Sequence, residues 1–129
     1  MERFKVYSIE DLEPKKGKVH WFRNMVPANG MPEIDLRYIH MKQGERIKNH
    51  IHELSETMII TIKGKGRVVL DGIEYDVVPG QVAYATKGCP HGYEAVDDDW
   101  EYIIIQCPTI KRDGHKSDYI SVDESPDTR

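Results

Sequence analysis

Residues 64–88 read GKGRVVLDGIEYDVVPGQVAYATKG. Four glycines stand eight apart, at Gly64, Gly72, Gly80 and Gly88. Between them lie three short apolar runs, at 67–70, 73–78 and 81–85. Asp71-Gly72 is a tight hairpin signal, because both residues tolerate positive φ. Pro79-Gly80 marks a second turn. Short strands at such regular spacing predict a sandwich or a barrel. The glycines space turns only; no sequence unit repeats along the chain.

Composition extends this reading to the whole chain. There are 14 Ile and 10 Val against 4 Leu and 4 Ala. Branching at Cβ restricts rotamers in a helix but packs well on a pleated sheet. The expected class is all-β. Outward from the central stretch, residues 19–26, 34–41, 56–62 and 100–107 read as further strands. Residues 14–18 read as a loop and 27–32 as a turn. A length of 129 residues suits one domain. Its core is expected over about residues 34–108, with a mobile tail at 123–129.

Several function classes are disfavoured. A net charge of −4 and the lack of a basic cluster argue against nucleic acid. No apolar run approaches the roughly 18 residues of a membrane span. Two cysteines, Cys89 and Cys107, cannot form a disulfide scaffold. With no apolar segment at the N-terminus, the expected location is cytoplasmic.

The chemistry concentrates at His50 and His52. Residues i and i+2 of a strand face one side, so both imidazoles can point at one spot. Glu56 has the same parity and can join them if the strand runs on smoothly. Two neutral nitrogens and a carboxylate suit a divalent transition metal. His91 could add a fourth ligand from a neighbouring strand. A histidine pair on a strand is also often no more than a solvated polar face.

The pattern around these residues resembles the two motifs of the cupin superfamily. In the first, Gly44 is followed after five residues by His50-Ile51-His52, then Glu56, then Gly64. In the second, Gly80 is followed after five residues by Thr86-Lys87-Gly88, then His91. The family pattern allows three or four residues between His-x-His and Glu, then six before Gly. Gly64 falls one position late for Glu56, with Lys63 in the usual place. Thr86 replaces a proline and Ala95 an asparagine. The resemblance implies a double-stranded β-helix, or jelly-roll barrel, of two antiparallel sheets. It places His50, His52, Glu56 and His91 at the four metal positions. It also implies one divalent ion per chain, whether Fe, Mn, Ni, Co or Zn.

Met58 and Ile60 share the parity of Glu56 and are expected to face the cavity. Arg37, Tyr38 and Tyr84 are candidates for its far wall, although parity is lost across the turns. Met58, Ile60, Arg37 and Tyr84 are therefore the candidate substrate-binding residues. An inward Arg37 would suit a carboxylate or phosphate. Cys107 reads as core; Cys89 reads as a small buried residue, with a ligand or redox thiol as the alternative; Trp21 and Trp100 read as core or interface; His20, His40 and His115 have no partner pattern and read as surface or edge residues.

A fold does not fix a function. The expected function is a metal-dependent enzyme on a small organic molecule, such as a dioxygenase or a sugar-phosphate isomerase. The alternatives are a non-catalytic binder of a sugar-like metabolite, and a barrel that its metal only stabilises. Strand 100–107 is apolar on both parities, so one face needs a partner outside the barrel. Small cupins pair across such a face, which implies a homodimer with Tyr102 and Ile104 at the interface. Cover by residues 19–26 of the same chain is the alternative.

Overall fold

The computed structural model describes residues 5–26, 33–109 and 119–122. Among the described residues eleven strands run in chain order: β1 (Pro14–Lys16), β2 (Trp21–Asn24), β3 (Asp35–Met41), β4 (Arg46–His52), β5 (Glu56–Gly64), β6 (Gly66–Leu70), β7 (Ile73–Val77), β8 (Val82–Ala85), β9 (His91–Glu94), β10 (Trp100–Cys107) and β11 (Tyr119–Ser121). One three-residue 3-10 turn, Ile9–Asp11, precedes them. The six-stranded sheet has the order β1-β2-β3-β10-β5-β8, and the five-stranded sheet β11-β4-β9-β6-β7. Every pairing is antiparallel. The fold is the expected all-β double-stranded β-helix.

The glycine-spaced stretch folds as read. β6 and β7 pair through Asp71-Gly72, both at positive φ. Residues 14–16, expected in a loop, instead form edge strand β1 against β2. Three residues fit there because β2 offers an open edge. β2 itself extends the sheet beside β3 and does not cover its face. The expected turn at 27–32, the tail at 123–129 and His115 lie outside the described residues.

The core sits between the sheets. Ile39, Met41, Ile59, Val68, Val77, Tyr93, Ala95, Trp100, Tyr102 and Ile104 form one buried cluster. Trp100 and Tyr102 lie tilted with ring centroids 4.2 Å apart. Each keeps its polar tip paired: Trp100 Nε1 donates to Thr61 Oγ1 at 3.2 Å, and the Tyr102 hydroxyl to Met41 Sδ at 3.3 Å. An aromatic ring buries roughly 150–250 Å², worth on the order of 4–6 kcal/mol at about 25 cal/mol per Å².

Gly66 makes room for the indole. A Cβ there would stand 2.2 Å from the Trp100 ring.

Strand β10 alternates strictly: Trp100, Tyr102, Ile104 and Gln106 are buried, while Cys107 is exposed. This corrects the expected interface, because Tyr102 and Ile104 face the barrel. It also corrects Cys107, which ends the outer face. The apolar outer residues are Ile103 and Ile105. Register sets them in two rows across the six-stranded sheet: Leu36-Ile105-Met58-Tyr84 and Tyr38-Ile103-Ile60-Val82.

Candidate metal centre

Strands β4 and β9 position the histidines. His50 and His52 alternate inward on β4, and His50 is the Cα partner of His91 on β9. The register between these strands shifts between Ile47 and His50. Gly92 allows the close approach there, since a Cβ would stand 2.7 Å from Asn49 Oδ1. Leu70 of β6 flanks His91 on the other side.

The three rings converge. Each offers one ligand nitrogen, and these atoms all lie within 4.8 Å of one another. His50, His52 and His91 are 3%, 2% and 1% exposed. Backbone carbonyls hold two of them: His50 Nδ1 lies 2.7 Å from Lys48 O and His91 Nδ1 lies 2.9 Å from Cys89 O. An Nδ1–H donated to a carbonyl leaves the lone pair on Nε2. His91 Nε2 is buried with no hydrogen-bond partner among the described residues. Burial pushes the His91 pKa below its usual range, the Cys89 carbonyl opposes this, and His52 adds to it. The ring is thus held neutral, the form a metal requires. An orphaned inward nitrogen beside two further buried imidazoles fits a divalent ion.

The carboxylate does not join them. Glu56 is exposed, and among the described residues the convergent group is His50, His52 and His91 alone. The cause is a change of parity. Strand β4 ends on inward His52, residues 53–55 turn, and the inward positions of β5 are Thr57, Ile59 and Thr61. The same change carries Met58 and Ile60 to the outer face, where Met58 is 40% exposed. They do not line the barrel as expected. Tyr84, 67% exposed, is likewise outward on β8, although it borders a surface cleft of about 680 Å³. Tyr38 is also outward; its hydroxyl donates to Glu101, and burial helps raise its pKa to about 12.

Arg37 points inward with Ile39 and Met41 on β3. Its Nη2 donates to Gln106 Oε1 at 2.9 Å, and Gln106 Nε2 stands 3.3 Å from His52 Nε2. Thr57, the Cα partner of Gln106, is buried, and its hydroxyl has no partner among the described residues. Sequence reasoning missed both Gln106 and Thr57. The signal for Thr57 was Gly64: with six residues, 58–63, left between, the motif position falls at 57.

The cleft is lined by inner-face Val68, Leu70, Val77, Ala83 and Ala85 where β7 and β8 leave the sheets unjoined. Leu70 is the Cα partner of His91 and Ala85 that of Thr57, so two of the lining residues stand beside residues of the centre.

A double-stranded β-helix with a buried three-histidine cluster defines the class of protein. The chain belongs to the cupin family: the cupin domain model matches residues 37–105. The solved structures it resembles include KdgF from Halomonas sp., with TM-score 0.74 and 18% identity over 85% of this chain and 96% of that one. The polyketide cyclase RemF from Streptomyces resistomycificus gives TM-score 0.78 and 20% identity over 96% and 89%. A predicted oxalate decarboxylase from Thermotoga maritima gives 0.75 and 15% over 81% and 100%. At these identities the likeness is one of fold. No curated protein is similar enough in sequence to count as a match. No helix among the described residues is long and apolar enough to cross a membrane.

Proposed function

We propose that the chain binds one divalent transition metal through His50, His52 and His91 and acts on a small organic molecule there. The observation that carries this is the buried, unpartnered Nε2 of His91 beside two other imidazoles. Imidazole ligands suit Fe, Co, Ni and Zn better than the harder Mn. Three protein ligands leave positions open for substrate and water, unlike a closed structural zinc site. A bound ion would supply Lewis-acid polarisation of a substrate oxygen. The protein's part is to hold three neutral imidazoles in place and to exclude bulk water. A dioxygenase or an isomerase suits such a centre, and the solved relatives named above include a cyclase and a predicted decarboxylase.

The test loads the protein with iron(II), cobalt(II), nickel(II) or zinc(II) in turn. Each form is screened for oxygen uptake and for isomerisation of small oxo acids and sugar phosphates. Turnover with one metal that disappears in His91→Gln supports the reading. A fully loaded protein that is inert in every screen, yet binds metabolites, would leave it a binder.

We also propose a homodimer through the outer face of the six-stranded sheet. The two rows centred on Ile103 and Ile105 lie side by side on one face, and a two-fold axis brings such a patch against its own copy.

A further inference from the structure

We propose that Gln106, locked by Arg37, is the hydrogen-bond donor offered at the three-histidine centre to an anionic oxygen of the ligand. The site then takes a carboxylic acid with an apolar body and discriminates against the matching amide. This deepens the function proposed above and rests on it for the metal.

The orientation of the amide follows from its partner. A guanidinium has donors and no acceptor. Arg37 Nη2 stands 2.9 Å from one end of the Gln106 amide, so that end is the oxygen. Turning the amide over would set NH2 against NH2. The end facing His52, 3.3 Å from its Nε2, is therefore the NH2 group. Gln106 is 3% exposed, so the arrangement sits away from bulk water.

In the chain without an ion, the lone pair of His52 Nε2 can accept from this amide. A ligated Nε2 has no lone pair to spare. The N–H is then available to an oxygen beside it. Thr57 adds a buried hydroxyl with no partner on the same row of the sheet. Two donors, one of them polarised by a guanidinium, stabilise negative charge on an oxygen better than they hold a neutral group.

The charges nearby agree. No carboxylate stands on the inward positions of β5, β8 or β10. Asp35, the Cα partner of Gln106 on β3, accepts from Thr109 Oγ1 at 2.8 Å. No lysine joins Arg37 on the inward positions of β3, β5, β8 or β10, so a singly charged, planar carboxylate fits better than a phosphate dianion. The cleft whose lining residues Leu70 and Ala85 are the Cα partners of His91 and Thr57 gives room for the rest of the acid, and the Asp76 carboxylate on its β7 side is paired with Lys65 and Arg67.

Calorimetry of the zinc-loaded protein with 4-methyl-2-oxopentanoate and with its amide tests this. The acid should bind at least about tenfold more tightly, the effect of one charge-assisted hydrogen bond. Arg37→Met frees the amide to turn, and the preference should fall below about threefold with zinc stoichiometry unchanged. Gln106→Glu keeps a partner for Arg37 and replaces the donor by a carboxylate; it should bind zinc more tightly and lose the acid.

Equal binding of acid and amide by the wild type, or of neither, overturns the proposal. So does an undiminished preference in Gln106→Glu, which stands as the test if Arg37→Met does not fold. If the wild type binds no zinc, the metal reading fails by itself. Zinc bound at one ion per chain with equal binding of acid and amide overturns this inference alone and leaves the metal reading standing.

Discussion

His50 and His91 are direct cross-strand partners, and their ring centroids stand 4.3 Å apart. Two residues far apart in the chain thus become neighbours through one strand pairing. Both rings must be neutral to bind an ion. Metal affinity should therefore fall at acid pH as imidazoles take up protons, with His91 the slower to do so because burial holds its pKa below the usual range near 6.5. Zinc titrations at pH 8, 6.5 and 5 check this; equal affinity at all three would exclude a histidine site.

Stability should depend on pH through His20. Burial chiefly, and then the Arg37 charge, lowers its pKa to about 4. The unfolded chain takes up this proton near pH 6.5, whereas the folded chain does so only near 4. The neutral ring's contribution is therefore complete above 6.5 and is lost as pH falls through that window, at up to about 1.4 kcal/mol per pH unit. Urea midpoints measured between pH 7 and 4 should fall less steeply in His20→Gln than in the wild type.

Gly66→Ala should destabilise the barrel by about 2–3 kcal/mol, the cost of overpacking against the Trp100 ring. Gly72, which has open space around its Cβ position, should cost only about 1 kcal/mol on the same change, from its positive φ. Thermal melts of the two variants read the difference. Equal costs would show that the indole moves aside freely.

Strand β10 separates assembly from folding. Ile103→Glu with Ile105→Glu places charges on the outer face and should give a folded monomer near the 14.9 kDa chain mass. Tyr102→Glu buries a charge in the core and should unfold the protein. Light scattering with circular dichroism checks both. A wild type that is already monomeric at micromolar concentration would exclude the dimer.

Much of the barrel was legible because its turns are marked chemically. Asp71-Gly72 and Pro79-Gly80 fix where strands end, and β-branched residues fill the spaces. The histidine pair was legible because a strand repeats its facing every two residues. Glu56 was misread because that rule lapses at a turn, and residues 53–55 exchange the faces of β5. Met58 and Ile60 moved with it. Arg37 could not be oriented from sequence, since its direction depends on pairing with β10 across 69 positions. Gln106 carried no local signal at all; its role arises from register with Thr57 and contact with His52.

The most direct measurement is a cobalt(II) titration of the metal-free protein followed by visible absorption. One ion per chain should bind to the wild type, with ligand-field bands of a nitrogen-bound ion. Glu56→Gln should bind as the wild type does, because its side chain lies outside the cluster. His91→Gln should lose more than about 100-fold in affinity, beyond the 10–100-fold cost of disturbing a ligand's supporting partner. A protein lacking His50, His52 and His91 together that still binds one cobalt ion with wild-type affinity would contradict the three-histidine centre.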